Sequence, residues 1–135
     1  MSYPITDIDG IDREVAAILK TVRIRSTERL LEAARTMKGR KDLAIKTGFD
    51  EKQLLCWANV ADRMRVKGIR KEYAELLQAA GVDTVKELKY RNPANLAKAM
   101  AEANKKRKLV RQLPSEKVVK RWIEDAKKLQ LKITY

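Results

Sequence analysis

The chain has 135 residues, 44% hydrophobic but only 5% aromatic, with 31 Lys/Arg against 18 Asp/Glu and a formal net charge of +13. It has no histidine and one cysteine, Cys56, which excludes Ser-His-Asp and Cys-His catalysis, His-ligated metals, an internal disulfide and a Cys-rich zinc site. Five glycines and three prolines favour helices over a loop-rich β fold, and no apolar run nears the ~18–20 residues of a membrane span.

In chain order, the start Met1-Ser2-Tyr3-Pro4-Ile5-Thr6-Asp7 is no signal peptide, so a cytoplasmic protein is expected. Asp7-x-Asp9-Gly10-x-Asp12 has its glycine at the wrong position for a calcium loop, and Ile18 stands where the closing Glu belongs. These aspartates read as solvated caps, with Asp12 starting a helix that runs to Val22. Lys38-Gly39-Arg40 and Lys46-Thr47-Gly48 mark breaks on either side of a short helix. Asp50 caps the next, whose face is Leu54, Trp57, Ala61 and Met64, with Cys56 expected as a packed thiol beside Trp57.

Tyr73, Leu76, Leu77 and Ala80 then recur at helical spacing, and Gly81 supplies the stop. Thr84-Val85-Lys86-Glu87 is a capping box in which Glu87 reaches back toward the cap N–H. Asn92-Pro93 opens a helix expected to run through Leu96, Ala99, Met100 and Ala103 toward Leu109, until Leu113-Pro114 breaks it. Ser115 caps the last helix, with Val119, Trp122, Ala126 and Leu129 on one face, and Lys132–Tyr135 reads as a short extended tail. Both tryptophans lie in register with aliphatic residues, which assigns them to the core rather than to a base-stacking platform.

A shift of 58 residues superimposes Gly10-Ile11 on Gly68-Ile69, Glu14 on Glu72, Ala16 on Ala74, Leu19 on Leu77 and Leu30 on Leu88. A shift of 65 then pairs Asp50-Glu51-Lys52 with Ser115-Glu116-Lys117, Trp57 with Trp122 and Ala61 with Ala126. The expectation is an all-α single domain of two four-helix repeats, residues 4–63 and 64–131, sharing one core. Charge divides unevenly between them. Residues 1–63 hold 12 Lys/Arg and 10 Asp/Glu, whereas residues 64–135 hold 19 and 8. Such a split points to a polyanion meeting the second half.

Val66-Lys67-Gly68-Ile69-Arg70-Lys71, with the helix through Ala80-Gly81-Val82, resembles a helix-hairpin-helix motif, and Ile8-Asp9-Gly10-Ile11-Asp12 resembles it more loosely. The whole chain is similar to small bacterial double helix-hairpin-helix proteins of unknown function. The matching stretches are Tyr3-Pro4-Ile5-Thr6-Asp7, Ala80 to Leu88 and Arg91-Asn92-Pro93-Ala94-Asn95-Leu96. The resemblance implies that hairpin N–H groups grip a phosphate of DNA, and it is what favours DNA over RNA. Glycine there permits close backbone approach beside a helix N-terminus. Each hairpin keeps only its first glycine; the second is Asp12 in one copy and Arg70 in the other. The Asp12 carboxylate makes the first hairpin a packing device, and the first copy has also lost the inter-helix glycine, with Arg23 in place of Gly81.

The expected contacts are therefore Lys67, Gly68, Ile69, Arg70 and Lys71 of the second hairpin. A further basic surface joins them: Lys105, Lys106, Arg107, Lys108 and Arg111, then Lys117, Lys120 and Arg121. Binding is expected to be non-enzymatic, largely independent of base sequence, and without metal, cofactor or membrane. The alternative is a protein–protein adaptor meeting an acidic partner. A lyase using a lysine Schiff base needs a lysine in a pocket, and the sequence singles out none.

Overall fold

The computed structural model describes residues 2–135, and among them it is all-α, with eight α-helices and no strand. A single 3-10 turn, Ile5–Asp7, precedes α1 (Arg13–Thr21), α2 (Thr27–Ala34), α3 (Met37–Thr47) and α4 (Glu51–Arg63). The second half holds α5 (Lys71–Ala79), α6 (Val85–Lys89), α7 (Pro93–Arg107) and α8 (Glu116–Lys128). Among the described residues no helix is long and apolar enough to cross a membrane.

Local chemistry starts nearly every helix. Asp12, Ser26, Thr36, Asp50, Thr84, Asn92 and Ser115 each accept a first-turn N–H with their side chains. Only α5 differs, because its N-cap, Arg70, has no acceptor to offer. The box at Thr84 differs from expectation in one bond. The Thr84 hydroxyl takes the Glu87 N–H at 3.0 Å, and the Glu87 carboxylate accepts from that same hydroxyl at 3.1 Å.

α2 packs on α4 with α3 alongside, and α7 and α6 pack on α8 with α5 against α7. α4 also meets α5 and α6, so one continuous core spans both halves. Leu19, Ile24, Leu30, Leu54, Trp57, Leu77, Val82, Leu88, Val119 and Trp122 are all buried in it. Truncating one of the leucines to alanine would cost about 2–5 kcal/mol.

The two glycine turns share their geometry. Gly10 has φ +89° and Gly68 φ +93°. The following isoleucine N–H bonds three residues back at 3.1 Å in both, Ile11 to Ile8 and Ile69 to Val66. A Cβ at Gly10 would meet Trp57 Nε1 at 3.3 Å, and one at Gly68 would meet Trp122 Nε1 at 3.1 Å. At the far ends of α1 and α5, Arg23 and Gly81 both sit at positive φ, +65° and +96°. There Ile24 N–H reaches Leu19 O at 3.0 Å, and Val82 N–H reaches Leu77 O at 2.9 Å.

Three further expectations need correction. Lys38-Gly39-Arg40 is no break but lies inside α3, where Thr36 caps the Gly39 N–H at 3.0 Å. Glycine is required because a Cβ would stand 2.2 Å from the Ala33 carbonyl. α7 stops at Arg107, short of Leu109. The Asn104 side chain donates to Val110 O at 3.1 Å and accepts from Val110 N–H at 3.0 Å, and Lys108 turns left-handed at φ +50°. Cys56 is exposed, not packed. It sits one helical step of about 100° from Trp57, off the Leu54–Trp57–Ala61 face.

Two arginines are buried. Arg63 donates to the carbonyls of Asp83 and Ala74, pinning α4 to the second half, and burial pulls its guanidinium below its ordinary pKa. Arg40 bonds Ala34 O at 2.9 Å and Thr134 O at 2.7 Å, while Thr134 N–H reaches Arg35 O at 2.8 Å. The tail is thereby clipped against the first half.

Candidate nucleic-acid interface

The second glycine turn projects between α4 and α5. Its apolar residues, Val66 and Ile69, are buried, while Lys67 and Gly68 are exposed. Ile69 is therefore no surface contact: its side chain is in the core and its N–H belongs to Val66 O. A turn buries its hydrophobes on one side and offers backbone and cations on the other. The first turn of α5 begins beside it, uncapped by any side chain. Helix-start N–H groups of this kind favour an anion. At α1 the same position is filled by Asp12, whose carboxylate accepts the Val15 N–H at 2.9 Å.

A cleft of 330 Å³ opens at this point, lined by Asp7, Gly68, Arg70, Lys71, Glu72 and Tyr73. Arg70 is not the free cation that its position in sequence suggests. Its guanidinium donates to Asp7 Oδ2 at 2.7 Å and lies 4.1 Å over the Tyr3 ring. Tyr73 closes the floor, its ring 5.3 Å from that of Trp122 and its hydroxyl donating to Gln112 O at 3.0 Å.

Glu72 and Tyr73 also line a second cleft of 610 Å³, with Asn104, Lys108, Leu109, Val110, Arg111 and Gln112. The segment after α7 thus lies against the start of α5. The Asn104 clamp on Val110 creates this proximity, by ending α7 early and turning the chain at Lys108. Glu72 and Tyr73 line both clefts, with Lys71 in the first and Lys108 and Arg111 in the second.

The other candidates divide. Arg107 lies near Glu75, whose carboxyl is pushed above its usual range by partial burial and by Asp9, against the pull of Lys71 and Arg107. Lys105 pairs at 3.5 Å with Glu102 on the open surface, and Lys106 is exposed. Lys105, Lys106 and Arg107 occupy the last turn of α7, where cations also offset the helix dipole. Lys117, Lys120 and Arg121 are exposed on α8 and line neither cleft. Sequence reasoning missed the acidic members of the surface, Asp7, Glu72 and Glu75, and the framing residues Tyr73, Asn104 and Gln112. The usable signal was Asn104 followed by Lys108-Leu109-Val110, a side chain able to substitute for the backbone at a helix end.

A family model described as a domain of unknown function (DUF4332) matches residues 9–129. No curated protein and no solved structure matches the chain.

Proposed function

We propose that this chain, which belongs to the DUF4332 family, is a non-enzymatic nucleic-acid-binding module that holds phosphates of one strand at its second glycine turn. One observation carries the reading. Two turns of the same backbone geometry differ in chemistry: a carboxylate closes the start of α1, whereas the start of α5 is uncapped beside Lys67 and Lys71. A neighbouring cleft that shares Glu72 and Tyr73 with it is lined by Lys108 and Arg111, which in this reading supply cations for further phosphates. In this reading the halves are copies of one helix-hairpin-helix unit, the first kept for packing and the second for binding. That resemblance is what favours DNA over RNA. In this reading the contacts are to phosphates and not to base edges, so binding is largely indifferent to sequence.

The test is a titration of labelled duplex and single-stranded DNA at two salt concentrations. Wild-type protein is expected to bind with steep salt dependence. Reversing Lys108 and Arg111 to Glu removes about 0.9 per lost contact from the slope of log K against log salt, while reversing Lys117, Lys120 and Arg121 changes it less. Losses in proportion to the charges reversed, two in one set and three in the other, would mean that bulk charge alone is read.

An acidic protein partner is the second reading, and a different surface favours it. A cleft of 540 Å³ beside α1 is lined by buried Ile5, Ile11 and Ile24 and, on its charged side, by exposed Arg13, Lys20 and Arg25 against the single acid Asp12. Absence of DNA binding at low salt leaves this adaptor role in its place.

A further inference from the structure

The cleft at the second glycine turn already contains an anion of the chain's own. Asp7 reaches Arg70 across 63 residues of sequence, with Oδ2 2.7 Å from the guanidinium, and both line the cleft with Gly68 and Lys71. The carboxylate is presented from an anchored segment. Pro4 bridges Ser26, Ile5 N–H bonds Arg25 O at 3.1 Å, and Thr27 N–H bonds Tyr3 O at 2.9 Å. The Tyr3 ring, 4.1 Å below the guanidinium, holds Arg70 in line with Asp7.

Carboxylate and phosphate oxygens accept the same charge-assisted hydrogen bonds from a guanidinium. Resting on the phosphate reading above, we infer that Asp7 is a built-in substitute for phosphate, and that a phosphate must displace it from Arg70 to occupy the cleft. The exchange weakens binding of any single phosphate and selects for strands that supply several at once. It also gives the near-neutral first half a regulatory part in the basic second half. The ion pair is weak enough to be exchanged: its side chains are 58% and 24% exposed, a setting in which such pairs contribute little.

A positioning role for Asp7 would have the opposite sign, because its removal would then loosen phosphate. Asp9 supplies the control. It is exposed two residues further on, and it acts on Glu75. The experiment compares full-length wild type, Asp7→Asn and Asp9→Asn with two probes. Inorganic phosphate is followed by the NMR amide shifts of Gly68 and Lys71, and a short labelled duplex by anisotropy at low salt. Asp7→Asn is expected to tighten both by about threefold to fivefold, with Asp9→Asn doing much less despite the same charge change. Equal tightening by both variants, loosening by Asp7→Asn, or no phosphate response in any of the three proteins overturns the inference. If Asp7→Asn alone tightens phosphate and no protein binds duplex, the inference stands and the nucleic-acid reading falls. If wild type binds duplex and Asp7→Asn changes neither constant, the reading stands and the inference falls.

Discussion

Alanine at Gly68 and, separately, at Gly10 is the sharpest perturbation that the twin turns allow. At φ +93° and +89° a Cβ costs about 1–2 kcal/mol, partly offset by about 0.4–1 kcal/mol from the reduced freedom of the unfolded chain. The new methyl would also stand 3.1 Å from Trp122 Nε1 or 3.3 Å from Trp57 Nε1, so each indole must retreat by a few tenths of an ångström. The net loss is about 1–2 kcal/mol in either variant, a drop in Tm of about 4–8 °C by calorimetry. Binding should separate what stability does not. Gly68→Ala pushes its methyl against Trp122 beneath a turn that lines the cleft, and through the shift of that turn it is expected to weaken DNA binding about tenfold, or about 1.4 kcal/mol, while Gly10→Ala leaves affinity near wild type. Equal affinity losses would remove the second turn from the mechanism. Unequal Tm losses, with one variant near wild type, would refute the equivalence of the two turns.

Lys108→Gly relieves a left-handed residue at φ +50°, so it should raise stability by about 0.5 kcal/mol in urea titrations while lowering the salt slope by about 0.9. An unchanged slope would show that Lys108 touches no phosphate. Arg23→Gly, at φ +65°, should stabilise by a similar amount, about 0.5 kcal/mol, with DNA affinity retained, and a loss of stability would reveal a contact made by its side chain. Burial raises the carboxyl of Asp62 despite Arg65 at 2.6 Å, and partial burial raises that of Glu75. An acid with a raised folded pKa binds its proton more tightly when native, so these groups add stability as pH falls from neutrality through their folded values toward the unfolded ones. Asp62→Asn/Glu75→Gln should lose that component of the urea midpoint's pH dependence, and identical profiles for variant and wild type would contradict it.

The helix starts and the shared core were legible because their causes are local. A Ser, Thr, Asp or Asn cap acts on an N–H two or three residues away, and a face such as Leu54–Trp57–Ala61 follows from helical period alone. The ion pair of Arg70 was not legible because its partner is 63 residues distant, on the only 3-10 turn among the described residues. Arg40 and Arg63 belong to the same class. Composition assigns arginines to the surface, whereas these two are drawn inside by carbonyls that only the folded chain assembles. Of the basic cluster after α7, the sequence disclosed its density. Which cations border the groove depended on where α7 ends, and Asn104 decides that through two hydrogen bonds.

The indole beneath each glycine turn gives the molecule a pair of internal optical probes. Trp57 lies under Gly10 with its N–H buried and without an acceptor among the described residues, beside the Phe49 ring at 5.2 Å. Trp122 lies under Gly68 and against Tyr73, whose hydroxyl tethers the strip of chain beyond α7. With only two tryptophans present, replacing either by phenylalanine leaves a single indole, excited apart from the four tyrosines at the red edge, stationed at one turn. Ligand arriving at the second turn would then be visible in the spectrum of one variant and absent from that of the other, without any label being attached.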